Sequence, residues 1–276
     1  MKTLKIFPAA LVLAAFALLS AAPIAASEST EKAAQSTACD SVIEQRKLSW
    51  KGVPNVRDLG GLPGIGGKTV RRGLVFRSAG LNNNAKYREP GTKKTLPKEQ
   101  WEGPGKSRLD EETRKYLVET LGIKTDLDLR SAPEVFKMEC SPLGKTVNWI
   151  NISSSNYSGM GKDSGREAFK KCFKVFLDRE NYPIVFHCIA GADRTGSLAC
   201  ILNGLLGVEE DLLYRDWVYT WAQRNAKPSE KHWPGLMGVF AKYEGATLND
   251  RIEAYVLSCG FTKDDIKKFR SIMLEQ

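Results

Sequence analysis

Two residues separated by five others, Cys188 and Arg194, are the side chains in this sequence best suited to carry chemistry. They belong to the segment His187-Cys188-Ile189-Ala190-Gly191-Ala192-Asp193-Arg194-Thr195-Gly196. An apolar run at 183–186 predicts a buried strand before the segment, and another at 197–206 predicts a buried helix after it. A loop between a strand end and a helix N-terminus can aim several backbone N–H groups at one anion. The segment therefore predicts a phosphate-binding loop that contains a nucleophile.

The residue types in this loop suit the transfer of a phosphoryl group. The positive field of the loop favours the thiolate form of Cys188, which could attack phosphorus in line. Arg194 offers a planar pair of donors to two phosphate oxygens, and its charge stabilises the transition state more than the ground state. Thr195 could donate its hydroxyl to the sulfur as it leaves. The predicted phosphate contacts come from Ile189, Ala190, Gly191, Ala192, Thr195 and Gly196.

The segment resembles the HCxxGxxR(S/T) signature of the cysteine-dependent protein tyrosine phosphatases. Residues 190–196 are similar to the AGKDRTG loop of the bacterial tyrosine/lipid phosphatase branch. The resemblance continues through motifs at 55–61, 76–79, 121–131 and 260–266. It implies a phosphocysteine intermediate on Cys188. Ala192 stands where that branch often carries the lysine associated with phosphoinositide handling, a departure that weighs against lipid phosphatase activity.

The elements that must position the loop alternate along the chain. Strands are predicted at 74–80, 123–129, 147–152 and around 184, and helices at 110–120, 166–178, 209–224, 233–243, 248–258 and 262–274. Alternation of this kind predicts an α/β fold, with a central and mostly parallel sheet flanked by helices on both faces. The resemblance implies the dual-specificity type of the tyrosine phosphatase fold.

A proton donor is needed near the loop when the leaving group departs. Asp193 lies inside the loop, and the phosphatase branch that this sequence resembles is thought to use an aspartate at this position as its acid. Asp163 is the one acidic residue of the segment 153–163, where dual-specificity relatives place their acid. Asp128, which ends a predicted strand, is the third candidate. We favour Asp193 over Asp163.

Other polar residues near the loop are expected to support it. For Asp128 the favoured interpretation is an ion pair with one of three arginines, Arg57, Arg77 or Arg130. His187 is expected to orient the loop and support the thiolate, without transferring a proton. His232 is expected to lie on the surface of a helix.

The N-terminal residues have the pattern of a secretory signal peptide. Two early lysines are followed by an apolar run at 9–22 and by small residues at 25–27, and the run is short for a membrane span. We expect a signal peptide at 1–26, a flexible tail at 27–46 and a catalytic domain at 47–276, with an inserted loop at 82–108. The mature protein is expected to be periplasmic or secreted, with no integral membrane span.

Cysteine and histidine usage bears on disulfides and metals. Cys188 must stay reduced to act, and the pairing of the other five cysteines is left open: Cys39, Cys140, Cys172, Cys200 and Cys259. Of these, Cys172 and Cys200 lie in apolar helical patterns and are expected in the core. Two histidines, no CxxC pair and no clustered carboxylates predict that the chain uses neither a metal nor a cofactor.

The net charge of +9 suits anionic substrates and does not by itself imply nucleic acid. The leading hypothesis is a phosphomonoesterase for phosphotyrosine proteins, with breadth toward phosphoserine and phosphothreonine or small anionic phosphoesters. The second is an inositol phosphate or phosphoinositide phosphatase, since basic residues within 86–108 could hold extra phosphates; a solvated loop is the alternative. Remote alternatives are a non-catalytic phosphate-binding module and a rhodanese-type sulfurtransferase. The sequence leaves the oligomeric state open.

Overall fold

The computed structural model describes residues 40–105, 107–227 and 229–275. The predicted signal peptide and residues 27–39 of the predicted tail lie outside the described residues. Residues 40–46 belong to the folded domain, because Ile43 packs into the main core and the Arg46 side chain is fully buried. The folded domain therefore begins before the boundary predicted at residue 46. The polar composition of residues 40–46 gave no sign of these buried contacts.

Five strands form one mixed sheet. They are β1 (Arg57–Asp58), β2 (Val75–Ser78), β3 (Thr125–Asp128), β4 (Asn148–Asn151) and β5 (Ile184–His187), and their order in the sheet is β1-β2-β5-β3-β4. Only β1 is antiparallel to its neighbour; β2, β5, β3 and β4 run parallel. The predicted mostly parallel sheet is confirmed, and β5 lies at its centre.

Residues 40–44 are helical, and seven further α-helices accompany the sheet within the described residues. They are α1 (Glu111–Lys115), α2 (Asp163–Phe176), α3 (Asp193–Leu205), α4 (Glu210–Ala222), α5 (His232–Phe240), α6 (Leu248–Ser258) and α7 (Lys263–Met273). A π-helical turn at Tyr116–Thr120 continues α1. Capping boxes begin both α6 and α7, with Thr247 and Thr262 as the N-cap residues. The predicted helices are confirmed with shifts of a few residues at their ends.

The sheet separates two apolar clusters, and β5 contributes to both. Ile184 and Phe186 belong to the larger cluster, whereas Val185 between them belongs to the smaller one. Successive side chains of a strand point to opposite faces, so a continuous apolar run is what a strand covered on both faces requires. The helix after it, α3, is buried at every position from Thr195 to Leu205. Strand and helix thus fix both ends of the loop between them.

The predicted inserted loop is a folded extension, which we call the arm (residues 82–105). Antiparallel bridges join Asn82 to Ser107, Lys86 to Glu102 and Arg88 to Thr95. The indole of Trp101 donates a 2.8 Å hydrogen bond to the carbonyl of Leu96 and so secures the end of the arm. Among the described residues, no helix is long and apolar enough to cross a membrane.

Candidate active site

The loop identified in the sequence lies at the centre of the sheet. Cys188 follows β5 directly and is 2% exposed, and α3 begins five residues later at Asp193. The last residues of the two neighbouring strands, Ser78 and Asp128, pair with His187 in the sheet register. The carboxyl ends of parallel strands and the N-terminus of α3 therefore meet at Cys188, where ligands of α/β proteins commonly bind.

Donors from outside the loop hold three of its carbonyl groups. The Gly80 amide donates to Ile189 (3.1 Å), the Asn55 side chain to Ala190 (3.0 Å) and the Arg77 guanidinium to Gly191 (2.9 Å). In a trans peptide the C=O and N–H point in opposite directions, so these carbonyls turn the amides that follow them toward the inside of the loop. The loop is thus arranged to bind an anion through its backbone.

Glycine is required at one position of this loop. Gly191 has a φ of 64°, in the left-handed region, and a Cβ built there would lie 2.5 Å from the Ser78 carbonyl oxygen. No other residue type fits without moving β2 away from the loop.

The environment of Cys188 favours its thiolate. Burial opposes ionisation, but the Arg194 charge, the Thr195 hydroxyl and the amides of Thr195 and Ala190 together lower the pKa of the Cys188 thiol. The Thr195 hydroxyl oxygen is buried and has no hydrogen-bond partner among the described residues, so it is free to donate to the sulfur. This is the arrangement expected of a nucleophilic cysteine.

Arg194 is held by a carboxylate that the sequence analysis did not identify. Two guanidinium nitrogens donate to Glu134, at 2.7 and 3.2 Å, and one of them also donates to the Leu129 carbonyl. Burial acts to lower the pKa of Arg194, but the ion pair with Glu134 outweighs it and raises that pKa. The carboxylate accepts two further bonds from Ser131, so Glu134 is itself fixed. Ser131 precedes, and Glu134 lies within, a turn at residues 132–137.

His187 and Asp128 form a buried polar layer beneath the loop. His187 lies 2.8 Å from an Asp126 oxygen through Nε2, and its Nδ1 lies 3.8 Å from Asp128. Burial opposes protonation, but these two carboxylates raise the pKa of His187. Of the three arginines considered for Asp128, the partner is Arg130, which contacts both of its carboxylate oxygens at 2.9 and 2.7 Å. The expected ion pair of Asp128 is therefore present.

Three fully buried arginines surround one aspartate behind the loop. Arg46, Arg57 and Arg77 contact the Asp216 carboxylate at 2.8, 2.8 and 2.7 Å. Burial and the neighbouring Arg57 lower the pKa of Arg77 to about 9, which leaves it charged at neutral pH. Arg77 also donates to the Gly191 carbonyl, so the cluster contacts the loop directly and places positive charge behind it.

The candidate proton donors lie in different surroundings. The Asp193 carboxylate is partly exposed and accepts a 2.7 Å hydrogen bond from the Tyr157 hydroxyl. Asp163 is exposed at the first residue of α2. His232 is the first residue of α5, as expected of a helix residue, and its side chain is 33% exposed. Its ring also stacks on Tyr157 at 4.2 Å and its Nδ1 lies 3.9 Å from Asp193, contacts that the sequence did not predict. The loop 153–163 thus meets the active-site loop through Tyr157.

The cysteines described by the structure are all free: Cys140, Cys172, Cys188, Cys200 and Cys259. Cys39 lies outside the described residues. Cys172 and Cys200 are buried in the core as expected, and burial raises the pKa of Cys172 to about 12. In contrast to Cys172, the surroundings of Cys188 lower the pKa of its thiol. Nowhere in the described part do three or more His, Cys, Asp or Glu side chains gather as a metal site would require.

Comparison with known proteins gives a family match and several relatives. A model of the tyrosine phosphatase family matches residues 48–90 and 104–275. A Cupriavidus necator protein named as a tyrosine-protein phosphatase is 27% identical over an alignment of 218 positions, and the match covers 70% of this chain and 69% of that protein. The family match leaves residues 91–103, in the arm, unmatched.

Two solved structures are also similar to this chain. The core catalytic domain of the PP-IP phosphatase Siw14 from S. cerevisiae, in complex with citrate, has a TM-score of 0.37 and 16% identity. That match covers 73% of this chain and 93% of the Siw14 chain. TpbA of P. aeruginosa has the same TM-score of 0.37 at 12% identity, and the match covers 70% of this chain and 91% of TpbA.

Proposed function

Because this chain belongs to the tyrosine phosphatase family, we propose that it hydrolyses phosphotyrosine in proteins through a phosphocysteine intermediate on Cys188. The observation that carries the proposal is the environment of the Cys188 sulfur. Loop amides, the Thr195 hydroxyl and Arg194 all favour its thiolate, and the same groups suit a bound phosphate. Breadth toward phosphoserine and phosphothreonine is part of the proposal, because the loop amides and Arg194 suit the phosphate group, which all three esters share.

The proposed reaction has two steps, both at phosphorus. In the first, the Cys188 thiolate forms a sulfur–phosphorus bond while the ester P–O bond breaks, and the leaving oxygen takes a proton from Asp193. In the second, water attacks the phosphocysteine, gives its proton to Asp193 and releases phosphate with the thiolate. Arg194, oriented by Glu134, contacts the equatorial oxygens, whose charge is stabilised in each transition state.

An inositol phosphate or phosphoinositide is the alternative substrate class, and the charges of the described residues favour it less. The loop carries a single cation, Arg194, with Ala192 in place of the lysine common in the resembling branch. In the arm, Lys86 is paired with Glu102 at 2.8 Å and Lys94 with Glu89 at 2.7 Å. These two cations are neutralised by carboxylates and are poorly available to additional phosphates, whereas Arg88, Lys93 and Lys98 make no ion pair within the described residues.

A substrate panel tests the proposal. Phosphate release is measured with one peptide carrying phosphotyrosine or phosphoserine, with inositol hexakisphosphate and with phosphoinositide vesicles, all in EDTA. We expect the phosphotyrosine peptide to give the highest kcat/KM and Cys188→Ser to be inactive on every substrate. Faster turnover of inositol hexakisphosphate or the vesicles would show that the alternative is correct.

We further propose that the protein is exported to the periplasm or beyond, with the catalytic domain following a cleaved signal peptide of residues 1–26. The support is the basic, apolar and small-residue pattern of that segment. Mass spectrometry of the protein from the periplasm of the native or a heterologous bacterium should find a mature N-terminus close to residue 27. A chain recovered from the cytoplasm with its first residues intact would contradict the proposal.

A further inference from the structure

The arm is attached to the turn that orients Arg194. The Ala85 amide donates a 2.9 Å hydrogen bond to the Glu134 carbonyl, in the residue whose carboxylate holds Arg194. Arg130, four residues before Glu134, donates to the side chains of Asn82 (2.9 Å) and Asn84 (3.2 Å). The base of the arm is therefore fixed beside the phosphate-binding residues by several buried or half-buried contacts.

Three aromatic side chains form a continuous wall along the arm and this turn. The Tyr87 and Trp101 rings meet at 5.8 Å and the Trp101 and Phe136 rings at 5.3 Å, both in edge-to-face geometry. All three are only half-buried. Partial burial and the Glu134 carboxylate raise the pKa of the Tyr87 phenol, while Arg88 and Arg194 act to lower it. This agrees with the attachment of the arm beside the Arg194–Glu134 pair through Ala85.

Two cations lie on the same wall. The Arg88 guanidinium is 5.0 Å from the centre of the Tyr87 ring, and the Lys137 ammonium is 5.4 Å from that of Phe136. Neither is within ion-pair distance of a carboxylate in the described part of the chain, in contrast to Lys86, which is paired with Glu102. These half-exposed rings beside unpaired cations complement a ligand that is aromatic and flanked by acidic groups.

We propose that Tyr87, Trp101 and Phe136, with Arg88 and Lys137, form a recognition wall for the peptide around a phosphotyrosine. The phenyl ring of the substrate packs against Tyr87 while its phosphate enters the loop, and acidic side chains of the same peptide contact the two cations. This inference rests on the proposed function and adds a substrate class to it, phosphotyrosine within an acidic sequence. Trp101 lies in the segment 91–103 that the family match omits, so the complete wall depends on an insertion in this chain.

The first test separates ring contact from phosphate contact. Kinetics on an acidic phosphotyrosine peptide are compared for wild type, Tyr87→Ala and Tyr87→Phe, with inorganic phosphate as a competitive inhibitor of each. We expect Tyr87→Ala to raise KM about tenfold, the order of one aromatic contact, with kcat and the phosphate inhibition constant unchanged. Tyr87→Phe keeps the ring and should behave as the wild type.

The second test concerns charge and uses Lys86→Gln, a paired cation of the arm, as the matched control. Arg88→Gln and Lys137→Gln should each raise KM several-fold for an acidic peptide and leave KM unchanged for the same peptide with its acidic residues replaced by glutamine. Lys86→Gln should change neither. Equal effects on both peptides, or an unchanged KM in Tyr87→Ala, would overturn the recognition wall while the phosphatase proposal stands. A wild-type enzyme with no activity on either peptide would instead overturn the proposed function and this inference with it.

Discussion

The Tyr157 hydroxyl donates a 2.7 Å hydrogen bond to Oδ1 of Asp193, the residue that begins α3. Tyr157 is itself held by Ser197, whose hydroxyl accepts from the Tyr157 amide and donates to the Asp193 carbonyl. One carboxylate oxygen of Asp193 is thus occupied. The other is free to carry the proton that a leaving group needs, and this makes Asp193 a better candidate donor than the exposed Asp163.

We therefore predict that Asp193→Asn slows the hydrolysis of aryl phosphates with poor leaving groups far more than that of aryl phosphates with good ones, since good leaving groups need little protonation. The measurement is kcat/KM for a series of aryl phosphates of graded leaving-group pKa. A plot of log kcat/KM against leaving-group pKa should have a steeper slope for Asp193→Asn than for the wild type. The basic limb of the pH–rate profile should flatten as well. If Asp163→Asn steepened the slope and Asp193→Asn slowed every substrate equally, the acid would belong to the loop 153–163.

Tyr157 is expected to act as a positioning residue for Asp193. Tyr157→Phe keeps the stacked ring against His232 and removes only the hydroxyl. Hydrogen bonds to charged groups contribute about 1.5–3 kcal/mol, so we expect about a tenfold loss on poor leaving groups and a smaller loss on good ones. Tyr116→Phe, which alters a tyrosine that is 45% exposed, is the control and should leave both rates unchanged. A uniform loss in Tyr157→Phe would indicate a structural role only.

The sequence predicted the parts of the site that are contiguous and missed the parts that folding assembles. Cys188 and Arg194 were identifiable because the loop, the strand before it and the helix after it are one continuous segment. Tyr157 and His232 had no such signal, since their significance depends on contacts with Asp193 across 36 residues of chain and more. The short β1 is absent from the predicted strands, because a two-residue strand has no periodicity to detect.

The ionisation of Cys188 can be measured directly. Because its pKa lies below that of an ordinary thiol, the rate of alkylation by iodoacetamide should rise with pH and reach half its maximum at a lower pH than for a free cysteine. Arg194→Ala removes the charge that contributes most to the lowering, so its midpoint should move to higher pH. Mass spectrometry of the modified peptide separates Cys188 from the exposed Cys140. The same midpoint in both proteins would contradict the role given to Arg194.

Glu134 is predicted to act through Arg194, whose two nitrogens it fixes. Glu134→Gln keeps the shape of the side chain and weakens both bonds, so Arg194 should lose its preset orientation. We expect kcat to fall by about tenfold or more and KM to change less, because orientation matters most in the transition state. Vanadate, which adopts the geometry of that state, should bind correspondingly more weakly. Glu139→Gln, an exposed carboxylate nearby in sequence, is the control.

The stability of the domain should depend on Asp216, whose carboxylate contacts Arg46, Arg57 and Arg77 in their buried cluster. Removing one partner of a buried ion pair typically costs about 3–5 kcal/mol, so Asp216→Asn should lower the free energy of unfolding in urea by that order. Asp211→Asn breaks an exposed pair with Arg215 on the same helix and should have an effect of about 1 kcal/mol or less.

The buried cluster around Asp216 also predicts how the difference in unfolding free energy between wild type and Asp216→Asn depends on pH. Burial raises the pKa of Asp216, but the three arginines outweigh it and hold the pKa far below its usual range. A carboxyl group whose pKa is depressed by folding stabilises the protein fully above its unfolded pKa, about 3.9, and loses that contribution as pH falls further toward the folded pKa. The gap between wild type and Asp216→Asn should therefore be constant from pH 5 to 7 and shrink below about pH 4. A gap that stays constant into acid would mean that Asp216 contributes by packing rather than by charge.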